Sequence, residues 1–322
     1  MQTLGEDRIL IRPDDCIIDI PEFPDGIEPR SRCRLYVSPY GLNAIEVCEA
    51  NYYLGTRVPY HEHAAGYETF LVDGGSFDIR SMGKRSVAKY GDMVHFAPYM
   101  PHSIGALEDN SLWRAFHQEL FMTHMMYAEQ RLRAQTPNMM NDPAFRKRNA
   151  ERHASMYYEF TAAEQDVPPE EIPAIRPYDF GFAHYEFEGI DLRLKVGRWE
   201  TRGTKEIWQM RMKKGFTFSW TGTNPFDNLF DVFNGRMEVR LDGHEPFIAE
   251  TRDILFIPKW IAGSFTMLED TVLIDANCQG CLLRSLDELN GWKNNDPQKL
   301  HDEAAVREVF LKNDYNNFFT LI

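Results

Sequence analysis

The stretch that decides the fold reads Gly55-Thr-Arg-Val-Pro-Tyr-His61-Glu-His63-Ala-Ala-Gly-Tyr-Glu68, with Gly75, Gly91-Asp92 and His102 further along the chain. His61 and His63 are two residues apart, so in a strand both side chains leave the same face. Glu68 follows five residues later, and His102 brings a third imidazole from a more distant strand. Three imidazoles and one carboxylate suit a divalent first-row metal. The stretch therefore predicts one metal site with these four side chains as its ligands.

The spacing of these residues resembles the two signature motifs of the cupin superfamily. The first motif reads Gly-(x5)-His-x-His-(x4)-Glu-(x6)-Gly, and the second reads Gly-Asp-(x9)-His. Family members usually place a proline five residues before the last histidine, and here that position is Ala97. The resemblance implies a small antiparallel β-barrel, a double-stranded β-helix, with a metal held inside its mouth.

The first barrel recurs later in the chain. Gly215 follows Gly55 by 160 residues, and Gly235 follows Gly75 by the same distance. Further on the distance becomes 161, as between Asp92 and Asp253, which indicates a one-residue insertion in the intervening loop. An internal repeat of this length predicts a duplicated domain. We therefore expect an all-β bicupin with two jelly-roll barrels.

The second copy has lost the predicted metal ligands. The positions equivalent to the three histidines and the glutamate hold Thr221, Thr223, Asn228 and Gly263. Divalent first-row metals favour imidazole and carboxylate, which none of these residues supplies. The sequence predicts that the second barrel is structural or binds a small molecule without a metal.

Between and after the barrels the sequence changes character. Asp142-Pro143 is an N-cap followed by proline at the first helical position, and it predicts a helix to about residue 158. Prolines at 168, 169, 173 and 177 predict a linker, and Asp296-Pro297 predicts the start of a C-terminal helix. We expect four parts: a metal-binding barrel (1–120), a helical insert with linker (121–177), a barrel without metal ligands (178–285) and a helical tail (286–322).

Composition excludes several classes of partner. A net charge of −14 argues against nucleic acid, because nucleic-acid-binding proteins present a basic face. The sequence contains no apolar run of the ~20 residues that a membrane span needs, and its first residues do not resemble a secretory signal. Five cysteines suit reduced thiols, and we read Cys278-Gln-Gly-Cys281 as structural. We expect a cytoplasmic protein and, by resemblance to bicupins, a homodimer.

The predicted site favours an enzyme acting on a small organic molecule. One metal-binding barrel beside an empty one resembles gentisate-type dioxygenases, and the glutamate ligand resembles quercetinases. The first hypothesis is a dioxygenase with one divalent metal per chain, Fe2+ favoured and Mn2+, Ni2+, Zn2+ or Cu2+ possible. A non-redox lyase, isomerase or decarboxylase and a non-catalytic small-molecule binder are the alternatives. Glu68 is the candidate catalytic residue; the candidate substrate contacts are Tyr60, Phe70, Tyr99 and His117.

Overall fold

Two compact units make up the chain. A computed structural model describes residues 9–20, 31–38, 45–64, 66–117, 121–140, 142–152, 155–156, 167–222, 225–315 and 317–319. The first unit comprises Asp15–Tyr178, and the second comprises Asp179–Ile322 together with the segment that ends at Asp14.

Strands dominate both units, and a few helices follow them. The strands are β1 (Leu10–Ile11), β2 (Ile18–Ile20), β3 (Ser31–Val37), β4 (Glu46–Tyr52), β5 (Arg57–Glu62), β6 (Glu68–Gly74), β7 (Ser76–Ser81), β8 (Lys84–Lys89), β9 (Met93–Phe96), β10 (His102–Ala106), β11 (Ser111–His117), β12 (Ser155–Met156), β13 (Ile175–Arg176), β14 (His184–Phe187), β15 (Ile190–Val196), β16 (Glu206–Met212), β17 (Thr217–Trp220), β18 (Asn228–Asn234), β19 (Arg236–Leu241), β20 (Phe247–Glu250), β21 (Ile254–Ile257), β22 (Gly263–Met267), β23 (Thr271–Cys278) and β24 (Asn317–Phe319). The helices are α1 (Phe121–Gln135), α2 (Pro137–Met140), α3 (Pro143–Glu151), α4 (Leu282–Asn295), the 3₁₀ helix Pro297–His301 and α5 (Glu303–Leu311).

Within the described residues, each unit contains one seven-stranded and one five-stranded sheet, and the strand order is the same in both. In the first unit the orders are β13-β9-β6-β11-β4-β3-β2 and β12-β5-β10-β7-β8. In the second they are β1-β21-β18-β23-β16-β15-β14 and β20-β19-β22-β17-β24, the latter read from the opposite end. The predicted duplication and the all-β class are therefore confirmed.

Alternating apolar residues place the core of each barrel between its two sheets. In β19 the side chains of Met237, Val239 and Leu241 are buried in the core, whereas Arg236 and Arg240 are exposed. This period of two is what a strand with one covered face requires. The sequence pattern thus indicates which face of β19 looks inward.

Glycine is required where the chain passes between the two sheets of each barrel, from β6 to β7 and from β18 to β19. Gly75 and Gly235 have φ values of 65° and 106°, which side chains other than glycine rarely adopt. A Cβ at Gly75 would also lie 2.6 Å from the Ser111 hydroxyl, and one at Gly235 would lie 2.6 Å from that of Thr271. Both turns therefore pack directly on the last strand of their barrel.

A buried glutamate joins each barrel to the helix that follows it. Glu46 on β4 accepts hydrogen bonds from the backbone N–H groups of Met122 and Thr123, each at 2.8 Å, and from the Thr123 hydroxyl at 2.7 Å. Glu206, 160 residues later, accepts from the N–H of Leu283 at 3.1 Å. The first N–H groups of a helix have no intrahelical acceptor, and a carboxylate there also complements the helix dipole. The repeat therefore extends to the helices α1 and α4.

Several segments differ from the sequence-based expectations. Residues predicted as linker belong to the first unit: Ile172 and Ala174 are buried in its core, and β13 pairs with β9. The helix α3 ends at Glu151 and a short strand follows, although a helix to about residue 158 was expected. The strand β1 pairs with β21 of the second unit, whereas we had assigned residues 1–120 to the first barrel. None of the described helices is long and apolar enough to span a membrane.

The C-terminal helix begins later than the sequence indicated. Pro297–His301 forms a 3₁₀ helix, and α5 starts after Asp302, whose carboxylate accepts from the N–H groups of Ala304 and Ala305 at 3.1 Å. Asp302 is thus the N-cap residue of α5. The longer helix α4, which packs Leu282, Leu286 and Leu289 into the second core, was not predicted.

Replacing Glu46 with alanine removes the acceptor for three hydrogen-bond donors at the start of α1. We expect Glu46→Ala to lower the free energy of unfolding by about 1–3 kcal/mol, because buried donors are left without a partner. Denaturant unfolding measures this loss. Glu188→Ala removes an exposed carboxylate and should change stability by less than about 0.5 kcal/mol. Equal stability of the two variants would contradict the role of Glu46.

Candidate metal centre

The structure brings the four predicted ligand residues together at one end of the first barrel. His61 lies on β5, His63 follows the end of that strand, and Glu68 and His102 begin β6 and β10. One nitrogen or carboxylate oxygen from each residue lies within 4.8 Å of those of the other three. His61, Glu68 and His102 are buried, and the side chain of His63 is 10% exposed. The cluster thus offers four potential ligand atoms within the reach of one ion.

A β-bulge in β5 turns His61 toward the barrel interior. Ile104 of β10 pairs with Val58 of β5. Two residues before Ile104, His102 pairs with His61, which is three residues after Val58. Two residues of β5, Pro59 and Tyr60, therefore oppose one residue of β10, which defines a bulge. Proline suits this position because it has no N–H to give to the ladder. Since Ile104 is in the core, the register places His102 and His61 on the inner face.

Two of the imidazoles are held by backbone carbonyls. The Nδ1 of His61 hydrogen-bonds the carbonyl of Pro59 at 2.8 Å, and the Nδ1 of His102 hydrogen-bonds the carbonyl of Met100 at 2.8 Å. A carbonyl only accepts, so in both rings Nδ1 carries the proton. The Nε2 atoms are therefore the ones available to the cluster: that of His102 donates to Glu68 when it is protonated and would be the ligand atom when it is not. Backbone partners impose this arrangement on metal-binding histidines.

Glu68 supplies negative charge at the centre of the cluster. Its Oε2 lies 2.7 Å from the Nε2 of His102 and 3.3 Å from the Nε2 of His63. Burial raises the pKa of Glu68, but the hydrogen bonds to these imidazoles outweigh burial and hold the pKa well below its usual range. Burial, with the neighbouring imidazoles, lowers the pKa of His61 well below 6.5. A deprotonated carboxylate and a neutral imidazole are the forms that bind a metal.

Phe96, which the sequence analysis did not single out, holds His102 from the side. Its ring stacks on the imidazole, with centroids 3.9 Å apart and planes 6° from parallel. Phe96 pairs with Glu68 across β9 and β6, so it lies beside two of the four ligand residues. The equivalent pair in the second barrel is Ile257 and Asn228. The barrel with the histidines therefore has an aromatic side chain at this position, and the other barrel has an isoleucine.

The predicted substrate contacts occupy different environments. Phe70 is fully buried and packs on Phe96 and Trp113, with ring centroids 6.2 and 5.6 Å apart. Tyr60 is buried within the bulge, whereas the Tyr99 side chain is 63% exposed. The N–H of Tyr99 donates to the carbonyl of His63 at 2.9 Å, which ties the turn before β10 to the cluster.

His117, the fourth predicted substrate contact, is buried and pairs with Glu46 across β11 and β4. It lies two residues beyond Ala115, which is in the core, so both occupy the inner face of the sheet. Glu46 had no local signal in the sequence, since its contacts are with residues 76 and 77 positions away. A substrate-binding role for Tyr60, Phe70, Tyr99 and His117 stays a prediction.

The second barrel fills the equivalent space with aromatic side chains. Trp220 pairs with Gly263 in a regular ladder, without the extra residue of β5. A Cβ on Gly263 would lie 2.7 Å from the Trp220 ring, so the indole occupies the room that a histidine side chain would need. Thr221 and Asn228 are at the other equivalent positions, and Thr223 lies outside the described residues. The described part of this interior holds no group of imidazoles and carboxylates like that of the first barrel.

Comparison with known proteins agrees with this architecture. A family model described as ethanolamine utilisation protein EutQ matches residues 204–274. A variant of Bacillus subtilis oxalate decarboxylase is similar in structure, with 14% identity, a TM-score of 0.52, and coverage of 85% of this chain and 78% of that chain. The formate complex of Lactobacillus farciminis oxalate decarboxylase is similar too, with 14% identity, a TM-score of 0.52, and coverage of 83% of this chain and 85% of that chain.

The chain has the bicupin fold. At this identity the structural likeness shows the shared fold, and comparison with curated protein sequences gives no match. The first barrel of the bicupin carries a His–Glu cluster that fits a divalent metal. The closer resemblance to quercetinase- and gentisate-type dioxygenases stays a prediction.

Exchanging Phe96 for the residue of the second barrel tests its support of His102. We expect Phe96→Ile to weaken metal binding by about tenfold, because residues that orient ligands contribute this much to metal affinity. Competition with a chelating dye measures the affinity. Phe77→Leu truncates another fully buried ring of the same core and should lower stability without changing metal affinity. Unchanged metal affinity of Phe96→Ile would contradict the proposed support.

Proposed function

We propose that this bicupin is a metal-dependent enzyme acting on a small organic molecule, with His61, His63, Glu68 and His102 as the metal ligands. The observation that carries the proposal is the convergence of these four side chains in a largely buried cluster of the first barrel. Three imidazoles and one carboxylate match the preference of divalent first-row metals. A small-molecule substrate fits a site inside the mouth of a barrel.

The bound metal would act as a Lewis acid that polarises substrate oxygens. The chain holds its donor atoms in place by contacts that do not depend on the ion. Backbone carbonyls orient His61 and His102, and the Phe96 ring fixes the plane of His102. Preorganised donors of this kind avoid reorganisation during the reaction.

Glu68 has two tasks in this proposal. As a ligand, it offsets the charge of the ion in a buried environment where electrostatic interactions are strong. As a general base, its carboxylate accepts a proton from the substrate, and the lowered pKa keeps the carboxylate ionised before that step.

Two reactions compete for this site. The glutamate-containing ligand set suggests a dioxygenase acting on an aromatic, phenolic or diketone-like molecule, with Fe2+ as the metal. The structurally similar oxalate decarboxylases favour a decarboxylase or another non-redox lyase as the second candidate, and the B. subtilis enzyme holds Mn(II) centres. Both candidates require a metal that binds substrate oxygens. A homodimer and a cytoplasmic location belong to the same proposal.

Measurements of O2 uptake and CO2 release distinguish the two candidate reactions. We expect metal-loaded protein to turn over a member of a panel of phenols, diketones and small carboxylic acids. Substrate-dependent O2 uptake, measured with an oxygen electrode, supports the dioxygenase. Release of CO2 without net O2 uptake supports the decarboxylase.

Glu68→Gln should lower turnover at least about 100-fold in either case, because the amide does not accept the proton. Glu62→Gln, at the end of β5, is the matched control and should keep wild-type turnover. Equal turnover by Glu68→Gln and wild type would contradict the assigned role of Glu68. No conversion of any panel member by the wild type, with neither O2 uptake nor CO2 release, would favour the non-catalytic binder.

A further inference from the structure

Three arginines surround one carboxylate on the outer face of the five-stranded sheet of the first barrel. Asp78 lies between Phe77 and Ile79, which are in the core, so its side chain points to the opposite face. It accepts hydrogen bonds from Arg57, from the Nε of Arg80 at 2.9 Å and from the Nε of Arg85 at 2.5 Å. Its own carboxylate is 1% exposed. We call Arg57, Arg80 and Arg85 the arginine cluster.

The arginine cluster carries more positive charge than Asp78 offsets. Three guanidinium groups and one carboxylate leave two positive charges, in a chain whose net charge is −14. Arg80 and Arg85 pair directly across β7 and β8, and like charges in that position repel. Among the described residues, Asp78 is the one carboxylate that forms an ion pair with these arginines.

One guanidinium nitrogen of the cluster is buried without a partner. The side chain of Arg80 is 7% exposed, and its Nη1 has no hydrogen-bond acceptor among the described residues. A buried charged donor without an acceptor is strongly unfavourable. Arg57 and Arg85 have side chains 22% and 25% exposed, so solvent reaches the edge of the cluster. An anion arriving from solvent would supply the missing acceptor.

The backbone beneath the cluster is adapted to it. A Cβ on Gly105 would lie 2.5 Å from the Nη2 of Arg57, so only glycine lets this guanidinium lie across β10. The Nη1 of Arg57 donates to the hydroxyl of Ser103 at 3.0 Å. Glycine inside a strand usually weakens it, and it is found where another group approaches closely. The position of Arg57 is therefore fixed by the sheet.

The second barrel provides an internal comparison. Arg240 and Glu238 occupy the positions of Arg80 and Asp78, 160 residues later, and form two hydrogen bonds of 2.7 and 2.9 Å. Thr217 and Thr266 replace Arg57 and Gly105. That pair is balanced in charge, and the Arg240 side chain is 59% exposed. The surplus charge and the buried guanidinium are features of the first barrel.

We propose that the arginine cluster binds a small oxyanion, a carboxylate or a phosphate, on the outer face of the first barrel. The planar guanidinium group donates two parallel hydrogen bonds to such anions, which suits three arginines that share a single carboxylate. The site is separate from the metal cluster, because Ser103 and His102 are consecutive on β10 and point to opposite faces. The inference goes beyond the proposed enzyme activity.

Titration of the full chain with inorganic phosphate, and separately with acetate, tests the proposal. Isothermal titration calorimetry measures both affinities. The ionic strength is held constant, because salt screens exposed charges. We expect the wild type to bind at least one of the two anions. Arg80→Met should weaken that binding by about tenfold or more. Arg240→Met, the matched substitution in the second barrel, should leave it unchanged.

The two anions and two further variants complete the test. Binding of phosphate but not acetate identifies a phosphorylated ligand, and the reverse identifies a carboxylic acid; both results support the cluster as an oxyanion site. If Arg80→Met does not fold, Arg85→Gln, at a partly exposed position, carries the same test and should also weaken binding. The double variant His61→Ala with His102→Ala should bind the anion as the wild type does. Binding of neither anion, binding unaffected by the arginine substitutions, or binding lost in the histidine variant would overturn the proposal.

Discussion

One extra residue in β5 is the constraint on which the candidate site depends. Side chains of a strand alternate between two faces, so a one-residue change of register exchanges the faces. With Val58 inward, a regular strand would direct Tyr60 to the interior and His61 away from it. The bulge at Pro59 and Tyr60 reverses this and sets His61 opposite His102. The carbonyl of Pro59 then holds the imidazole, so the residue that permits the bulge also orients the ligand.

The second barrel has the same fold without this bulge. Its ladder between β17 and β22 is regular, Trp220 takes the inward position, and Gly263 leaves room for the indole. The rings of Phe218 and Phe265 pack on the indole, with centroids 6.2 and 4.8 Å from it, and Phe230 packs on both of these rings. Both barrels keep the glycine where the chain passes from one sheet to the other, the strand order and the glutamate at the following helix. The His–Glu cluster is thus a local difference between two barrels of the same fold. The fold by itself therefore does not specify the reaction.

The sequence predicted the fold and the four residues of the His–Glu cluster because both are encoded in spacing. Glycines at fixed distances mark the turns, and the 160-residue repeat reveals the duplication. The contacts that hold the ligands were not predictable in this way. Phe96 meets His102 through strand pairing, and Glu46 meets α1 across 76 residues, so no local periodicity marks either contact. The bulge was not predicted for a related reason. The His-x-His pattern indicated that both imidazoles leave the same face of a straight strand. In the structure the register changes before His61, and His63 lies beyond the end of β5.

The number of metal ions per chain tests the central claim most directly. The claim is that the first barrel binds one divalent metal through its His–Glu cluster and that the second barrel, filled by Trp220, binds none. Elemental analysis by mass spectrometry, on protein purified without a metal-donating tag, measures this number. We predict about one equivalent for the wild type and a loss of that metal in the folded double variant His61→Ala with His102→Ala. Two equivalents in the wild type, none after reconstitution, or an unchanged content in the double variant would contradict it.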